Sequence, residues 1–193
     1  MRKVKVFIAQ SVDGYIADRD GGLDFLKIVE PLAIDEGEDG LTYGESAAEP
    51  EDYGYADFMR DVDTILIGRK TYDVVCAFDI PFPHVGKECY VWSRTRTGSD
   101  ENVTYYGGDI AEFVKELKNK PGGTIYIEGG GELIRALRER NLIDEYIISV
   151  IPAFVGEGIP LFLPTVGLQG ELELVSSRSF ESGLVQLKYV LKP

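Results

Sequence analysis

Short runs of β-branched and aromatic residues alternate along this chain with stretches in which apolar residues recur every three or four positions. The runs are typical of buried strands, and the spaced stretches are typical of amphipathic helices. Strands are predicted over residues 4–9, 63–68, 88–93, 123–130 and 145–152. Helices are predicted over residues 55–62, 110–120 and 132–141. This alternation predicts an α/β fold with a largely parallel sheet.

The helix ends and the C-terminal tail refine this picture. Asp109 is a candidate N-cap for the helix over 110–120, and Pro121 and Gly122 end it. The tail holds strand runs with no helix between them, and SFESGLVQ (179–186) is typical of a hairpin corner. The sheet is therefore expected to finish in antiparallel strands.

Composition narrows the class of protein. A length of 193 residues suits one domain, which we predict to span 1–193. The two cysteines give neither a disulfide framework nor a metal-ligand spacing, so we expect no metal and a reducing, cytoplasmic location. No apolar run approaches membrane-spanning length, so no membrane partner is expected. The net charge of −13 argues against a nucleic-acid partner, because phosphate contacts need basic residues.

Residues 31–54 stand apart as a segment with eight acidic residues and no basic one. The simpler interpretation is an insertion that forms a solvated surface loop. The alternative is a lid over a cleft, because long loops in compact domains are often functional. Its charge would disfavour an anionic substrate.

Three turns that follow strands carry features of a dinucleotide site, since ligands of open parallel sheets bind beyond the carboxyl ends of the strands. In the first turn, DTILIGRKTYD (63–73), a strand ends at Gly68 and a helix opens with Arg69, Lys70 and Thr71. Glycine permits close approach of the backbone to a ligand, and free amides with basic side chains suit a phosphate. The alternative is an ordinary strand–helix turn with surface charges.

The second turn, YVWSRTRTG (90–98), has Ser93 at the strand end, followed by Arg94 and Arg96. Guanidinium groups match phosphate in a bidentate manner. Trp92 offers a stacking surface for a base, or else belongs to the core. Arginines at this place favour NADPH over NADH, because they can bind a phosphate on the ribose.

The third turn, IYIEGGGELI (125–134), places Gly129, Gly130 and Gly131 between a strand and a helix. As a Rossmann fingerprint it is weak, because Ile134 stands where a small sixth residue is needed. Beside the other two turns it is interpreted as the place for a pyrophosphate.

Seven segments, in order along nearly the whole chain, resemble the dihydrofolate reductase-like superfamily. The resemblance is closest to the reductase domain of the riboflavin-biosynthesis deaminase-reductases, in stand-alone form. The segments are FIAQSVDGYIA (7–17), DGGLDFL (20–26), ILIGRKTYD (65–73), VWSRT (91–95), IYIEGGGELI (125–134), LIDEYIISVIP (142–152) and VGEGIPLF (155–162). The resemblance implies a three-layer sandwich with a mostly parallel central sheet, antiparallel C-terminal strands and flanking helices.

The same resemblance implies an activity and its cofactor. The activity is NADPH-dependent reduction of a pyrimidine- or pterin-type heterocycle, similar to that of 5-amino-6-(5-phosphoribosylamino)uracil reductase, and the implied assembly is a homodimer. The residues implied to contact NADPH are Ala9 and Ile16 beside the nicotinamide, Gly21, Gly22 and Leu23 in a mobile loop, Gly68, Arg69, Lys70 and Thr71 at the phosphates, Trp92, Ser93 and Arg94 at the adenosine and 2′-phosphate, and Glu128, Gly129, Gly130, Gly131, Glu132 and Leu133 around the pyrophosphate turn.

Two carboxylates are the candidates for the chemistry. Glu128 matches a position that faces the substrate and the nicotinamide, where a carboxylate could bind the amino groups of a pyrimidine or pterin. The alternative is a solvated or structurally paired glutamate. Dihydrofolate reductases carry a carboxylate that helps to protonate the pterin on the helix before the 63–68 strand. Asp57 is our choice there, although the spacing also admits Asp52 and Asp61.

Three further points concern the substrate. His84, the single histidine, lies in PFPHVGK (81–87) and is expected to be a surface or loop residue rather than the proton donor. The segment 68–79 departs from the motif with which riboflavin reductases grip the ribose phosphate, so a phosphoribosyl group on the substrate stays an open point. Two other functions also stay open: a nucleotide-binding module without turnover, and an authentic dihydrofolate reductase.

Overall fold

The computed structural model describes residues 1–29, 34–35, 42–43, 52–78, 80–167 and 170–192. The strands in these residues are β1 Val4–Ser11, β2 Tyr15–Asp18, β3 Ile34–Asp35, β4 Thr42–Tyr43, β5 Val62–Gly68, β6 Glu88–Trp92, β7 Thr104–Tyr106, β8 Thr124–Gly129, β9 Glu145–Ile151, β10 Gly158–Pro160, β11 Leu172–Ser179 and β12 Val185–Leu191. The helices are α1 Tyr55–Arg60, α2 Arg69–Ala77, α3 Ile110–Asn119 and α4 Gly131–Arg138, with a 3₁₀ helix over Asp24–Ile28. Each strand and helix predicted from the sequence coincides with one of these.

One sheet of eight strands runs through the molecule in the order β11-β12-β9-β1-β8-β5-β6-β7. The six strands β9, β1, β8, β5, β6 and β7 are parallel to one another, each paired with the next in this order. Strand β12 pairs antiparallel with β9 and, through the predicted hairpin, with β11. The predicted α/β fold, mostly parallel with antiparallel C-terminal strands, is confirmed.

Helices cover the sheet on both faces. On one face, β8 directs Ile125 and Ile127 into an apolar cluster with α3 and α4. On the other face, Tyr126 belongs to a cluster with α1 and α2. Because side chains alternate along a strand, Glu128 lies on the same face as Tyr126. The helices α1 and α2 therefore flank the side on which the candidate carboxylate stands.

Helix α3 shows how the sequence pattern becomes packing. The Asp109 side chain accepts hydrogen bonds from the amides of the first turn, as predicted for an N-cap. Ile110, Val114 and Leu117 follow at helical spacing and are all buried. Burial of each such side chain contributes roughly 1.5–3 kcal/mol relative to exposure. This packing fixes one face of β8, whose carboxyl end carries the three glycines.

The carboxyl ends of β1, β5, β6 and β8 meet at one edge of the sheet because these strands are parallel. The chain passes from β1 to β5, moves outward to β7, and then returns to β8 between β1 and β5. Such a reversal of strand order leaves a crevice beyond the strand ends, where ligands bind in open α/β sheets. The three candidate turns thus lie at one crevice, which we call the carboxyl-edge cleft.

Candidate cofactor and active site

The turns after β5 and β8 are in direct contact. A Cβ atom built on Gly68 would lie 2.9 Å from the backbone nitrogen of Gly130 and 3.3 Å from the carbonyl oxygen of Gly129. A Cβ atom built on Gly130 would lie 2.9 Å from Thr71 Oγ1. Side chains almost never tolerate contacts this close, so glycine at positions 68 and 130 lets the two turns form one surface.

Both turns lead into the N-termini of helices. Helix α2 begins at Arg69 and α4 begins at Gly131, and neither is capped by a side chain. Amides at a helix start have no partner within the helix, and the helix dipole favours an anion there. In α4 the amide of Leu133 already donates to the carbonyl of Gly130 at 3.0 Å. The amides that could bind a phosphate are therefore those that precede Leu133, at Gly131 and Glu132.

The side chains of the two predicted α4 residues point elsewhere. Leu133 is buried in the apolar core, and Glu132 is exposed with its carboxylate 3.7 Å from Arg135. Their place in the predicted contact set therefore rests on the backbone at the helix start. The side chain of Lys70 is exposed at the start of α2, where a cation can reach a bound phosphate.

The turn after β6 lies beside the turn after β5, because Trp92 is the register partner of Gly68. Ser93 is buried, and its Oγ accepts hydrogen bonds from the amides two and three residues further on, at 3.2 and 2.9 Å. Its hydroxyl therefore shapes the turn. Trp92 is half-buried against the α3/α4 side of the core, and its Nε1 donates to the carbonyl of Gly108 at 3.2 Å. It belongs partly to the core and partly to the cleft.

The arginines of the cleft divide into two kinds. Arg69 forms an ion pair with Asp73, and Arg96 contacts the other oxygen of the same carboxylate at 2.7 Å. Asp73 thus holds two guanidinium groups side by side. Arg94 is exposed and has no ion pair within the described part of the chain. It is the arginine of this turn that remains free to bind a phosphate.

The amino-terminal strands supply the opposite wall. Ala9 lies near the end of β1, in register with Ser149 of β9, and Ile16 lies in β2 with its side chain against the apolar core. Both are half-buried. Their backbone contacts to a nicotinamide stay a prediction.

The predicted mobile loop is a compact turn in this structure. The Asp18 carboxylate accepts the amide of Gly22 at 2.7 Å, and Gly21 adopts the left-handed φ of +92°. Leu23 packs against a small apolar cluster that includes Phe25 of the 3₁₀ helix. The loop is closed by its own hydrogen bonds and anchored by its apolar end.

Glu128 and His84 form a buried polar pair. His84 is only 2% exposed, and its Nε2 lies 2.8 Å from Glu128 Oε1. The side chain of Glu128 is 16% exposed. Within the described residues, the buried atoms His84 Nδ1 and Glu128 Oε2 have no hydrogen-bond partner. His84 was expected to be a surface or loop residue: it does lie in a turn, but its side chain is packed inside rather than at the surface.

An aromatic wall surrounds this pair. The ring of Phe82 stands perpendicular to that of His84 at 5.4 Å, and the hydroxyl of Tyr126 donates to the carbonyl of Phe7 at 3.1 Å. Burial first, and the charge of Glu128 second, raise the pKa of Tyr55 to about 12. The phenol of Tyr55 is therefore neutral at neutral pH.

Cys89, close to the turn that carries His84, is perturbed in the same way. Burial first, and then Glu128, raise the pKa of its thiol to about 11. Tyr55 and Cys89 thus both lie near enough to Glu128 for its charge to raise their pKa values.

Asp57 does not face the cleft. Tyr55, Phe58 and Met59 turn toward the core from α1, whereas Asp57 lies on the outer side of the helix with its side chain 74% exposed. Its carboxylate is 2.8 Å from Arg60. The geometry thus gives no support to the assignment of Asp57 as proton donor.

The two alternative aspartates also have local partners. Asp52 accepts the amides of Gly54 and Ala56 at the start of α1. Asp61 accepts the hydroxyl of Thr124 at 2.6 Å, at the amino end of β8 and hence away from the carboxyl edge. Glu128 is accordingly the candidate carboxylate that the structure brings to the cleft.

Three further expectations concern the acidic segment, a metal site and a membrane span. Most of the acidic segment 31–54 lies outside the described residues. Across the described ranges, no group of three or more His, Cys, Asp or Glu side chains could hold a metal ion. The helices described there are too short or too polar to cross a bilayer.

Comparisons with known proteins agree with this architecture. Residues 90–186 match the family of the RibD C-terminal domain. The protein YwjB of Bacillus subtilis (strain 168) is 38% identical over 190 residues, which cover 98% of each chain. A crystal structure from Shewanella sp. PV-4, of a protein provisionally assigned to riboflavin biosynthesis, shares 31% identity with a TM-score of 0.82 and covers 99% of both chains.

A more distant structure shows the same fold. It is the diaminohydroxyphosphoribosylaminopyrimidine deaminase/5-amino-6-(5-phosphoribosylamino)uracil reductase of Thermotoga maritima, at 12% identity and a TM-score of 0.65. The match covers 99% of this chain and 57% of that longer one.

Proposed function

The chain belongs to the RibD C-terminal domain family, as its ordered segments indicated, and on this premise we propose that it is an NADPH-dependent reductase of a pyrimidine- or pterin-type heterocycle. Family membership supports a reductase-like role. The choice of NADPH and of the substrate class is our proposal. It is supported by the geometry of the carboxyl-edge cleft.

The observation that carries this proposal is the convergence of three strand-end turns on one cleft. Gly68 and Gly130 touch, Trp92 is the register partner of Gly68, and two uncapped helix starts face the same edge. A side chain at either glycine would collide with the neighbouring turn and push the two turns apart. The residues present thus fit the phosphates and one adenosine of a dinucleotide.

Within this proposal each group of residues has a physical task. The amides that open α2 and α4 bind phosphates, and Ala9 and Ile16 lie where they can bound a nicotinamide ring. When bound, NADPH supplies a hydride to an electron-poor carbon of the heterocycle. Glu128 stands on the α1 side of the cleft, where its carboxylate can accept an N–H of the heterocycle and orient the ring. The apolar wall of Phe7, Tyr55 and Tyr126 would exclude water from that contact.

Substitution of Arg94 tests the choice of cofactor. We expect Arg94→Ala to weaken NADPH binding by about tenfold or more, because one charge-assisted contact is worth about 1.5–3 kcal/mol. NADH has no 2′-phosphate for Arg94 to contact, so its dissociation constant should change by less than about twofold. Titration of both nucleotides against wild type and variant, followed by fluorescence, measures the two ratios.

The matched control is Arg96→Ala, since that guanidinium is already paired with Asp73. Its effect on the preference for NADPH should be smaller than that of Arg94→Ala. Equal losses of NADPH and NADH affinity in Arg94→Ala would remove the argument for a 2′-phosphate contact at this turn.

We also propose a homodimer, on the basis of family resemblance. All eight residues of the edge strand β11 are exposed, and an edge strand of this length offers unpaired backbone groups to a second copy. Sedimentation equilibrium should give twice the chain mass of 21.4 kDa. A mass equal to that of one chain at micromolar concentration would contradict the proposal.

A further inference from the structure

We propose that the heterocycle binds in the carboxyl-edge cleft without a phosphate group, because the end of the cleft that receives it is negatively charged. The proposal rests on the proposed function, since it names the substrate class of the same site. The preferred substrate is a free heterocycle or its sugar derivative, and the corresponding phosphate monoester is disfavoured.

Two turns form the wall of the cleft that lies across β8 from the turns after β5 and β6. Strands β9 and β1 are parallel neighbours, so the turns that follow them lie at the same edge of the sheet. The Val12 amide donates to the carbonyl of Ala153 at 2.9 Å, and the Asp13 carboxylate accepts the amide of Gly156 at 2.7 Å. These contacts join the two turns into one wall.

The wall continues through a two-stranded ribbon. Strands β2 and β10, which follow these turns, pair antiparallel. A Cβ atom built on Gly131 would lie 3.1 Å from the carbonyl oxygen of Pro160, so the end of β10 touches the start of α4. The segments 12–28 and 152–158 thus border the same cleft as the pyrophosphate turn.

The two ends of the cleft carry opposite charges. Segments 12–28 and 152–158 together hold five acidic and two basic residues, whereas residues 69–73 and 93–96 hold four basic and one acidic. Glu128, between the two ends, adds a further carboxylate. A cleft lined by one sign of charge concentrates ions of the opposite sign and repels those of its own. The basic end is therefore matched to the phosphates of the cofactor, and the acidic end to a substrate without an anionic group.

The cations at the acidic end are already engaged with carboxylates. Arg19 pairs with Glu157, which joins the β2 side of the wall to the β9 side, and Lys27 lies 3.0 Å from Asp24. A phosphate monoester carries about −1.5 to −2 charges at pH 7. A phosphate that took Arg19 would leave the Glu157 carboxylate unpaired beside it. Exchange of partners therefore gives no net attraction for a phosphate at this end.

The experiment is calorimetric titration of the NADP⁺-loaded wild type with two probes that differ only in a phosphate: 5-amino-6-ribitylaminouracil and its 5′-phosphate. At about 0.05 M salt we expect the phosphate to bind about tenfold more weakly, because like charges repel across a weakly screened distance. At about 0.5 M salt the ratio should fall below about threefold, since the screening length is then shorter.

Glu157→Gln tests where the discrimination arises. The variant removes one carboxylate and leaves Arg19 without that partner, so it should bind the phosphate probe about fivefold more tightly than wild type does, as for one exposed ion contact. Its affinity for the unphosphorylated probe should not change. The matched control is Glu171→Gln, which alters the net charge equally in an exposed ion pair with Lys192, beyond the strand end that meets the amino end of β9. The control should leave the ratio of the two affinities as in wild type.

Equal or tighter binding of the phosphate probe by wild type at low salt, or no binding of either probe, would overturn the proposal. So would a response of Glu171→Gln as large as that of Glu157→Gln. Turnover is scored separately, as NADPH oxidation by wild type with 5-amino-6-ribosylaminouracil. Preference for the unphosphorylated probe without turnover would keep the charge division of the cleft and remove the reductase assignment.

Discussion

Replacement of Glu128 by glutamine is expected to lower kcat/KM for the heterocycle by about 100-fold or more, in the range of a lost acid–base or charge contact. Glutamine keeps the size of the side chain and an oxygen for His84 Nε2, so the pair can still form. What it removes is the negative charge that orients the substrate. Glu128 lies before the glycine turn, not in it, so NADPH affinity should change by less than about threefold, well below the loss of one charged contact. Steady-state rates and nucleotide titrations measure the two quantities independently.

Asp57→Asn is the comparison variant, since Asp57 was the other carboxylate that the sequence suggested. Its side chain is 74% exposed and paired with Arg60 on the outer side of α1. We expect the rate of this variant to stay close to that of wild type. A large loss of rate in Asp57→Asn, with little loss in Glu128→Gln, would exchange the roles of the two residues and refute the account of the cleft.

Replacement of Gly68 by alanine is expected to raise the dissociation constant of NADPH by about tenfold or more, the equivalent of one charge-assisted contact. The added Cβ would lie 2.9 Å from the Gly130 nitrogen, so the two phosphate turns must move apart. Overpacking against rigid backbone typically costs about 1–3 kcal/mol, so the free energy of unfolding should also fall. Chemical denaturation and nucleotide titration of the same preparation give both numbers.

Gly123→Ala separates lost binding from lost stability. Gly123 precedes β8 at the amino edge of the sheet, where an added Cβ would overlap the carbonyl oxygen of Asp61. This variant should lose at least as much stability as Gly68→Ala while its affinity for NADPH stays that of wild type. If both variants lose affinity in proportion to stability, the turn at Gly68 has no special part in cofactor binding.

The alternation of strands and helices was visible in the sequence because each buried element carries its own periodic pattern. Five strands were missed by sequence analysis, and all of them are too short for a pattern to emerge: Tyr15–Asp18, Ile34–Asp35, Thr42–Tyr43, Thr104–Tyr106 and Gly158–Pro160. Their positions depend on neighbouring strands, which is tertiary information.

The residues of the candidate site also fall into those that local sequence reveals and those that depend on tertiary structure. The glycine turns were recognisable from local sequence, since each combines a strand end, a small residue and a helix start. His84 was not recognisable, because it meets Glu128 across 44 residues of chain and only the parallel order of β6, β5 and β8 brings them together. The one available signal was that the single histidine lies shortly before a strand of the same parallel sheet.

The arginines show a third case. The pairing of Arg69 with Asp73 at a spacing of four residues was predictable from helix geometry. The second contact of Asp73, with Arg96, was not, because it joins two different strand-end turns. That contact decides which arginine of the second turn is free, and therefore which one can bind a phosphate.

The most direct test of the central claim is a titration of the wild-type protein with NADPH and NADH, followed by the fluorescence of Trp92. Trp92 is the single tryptophan and lies at the second turn, half-buried at the edge of the cleft. We predict saturable quenching by both nucleotides, tighter for NADPH, followed by NADPH oxidation when a uracil-type heterocycle is added. Saturation without oxidation would favour a nucleotide-binding module. No change in fluorescence or melting temperature with either nucleotide would contradict the claim that the three turns form a cofactor site.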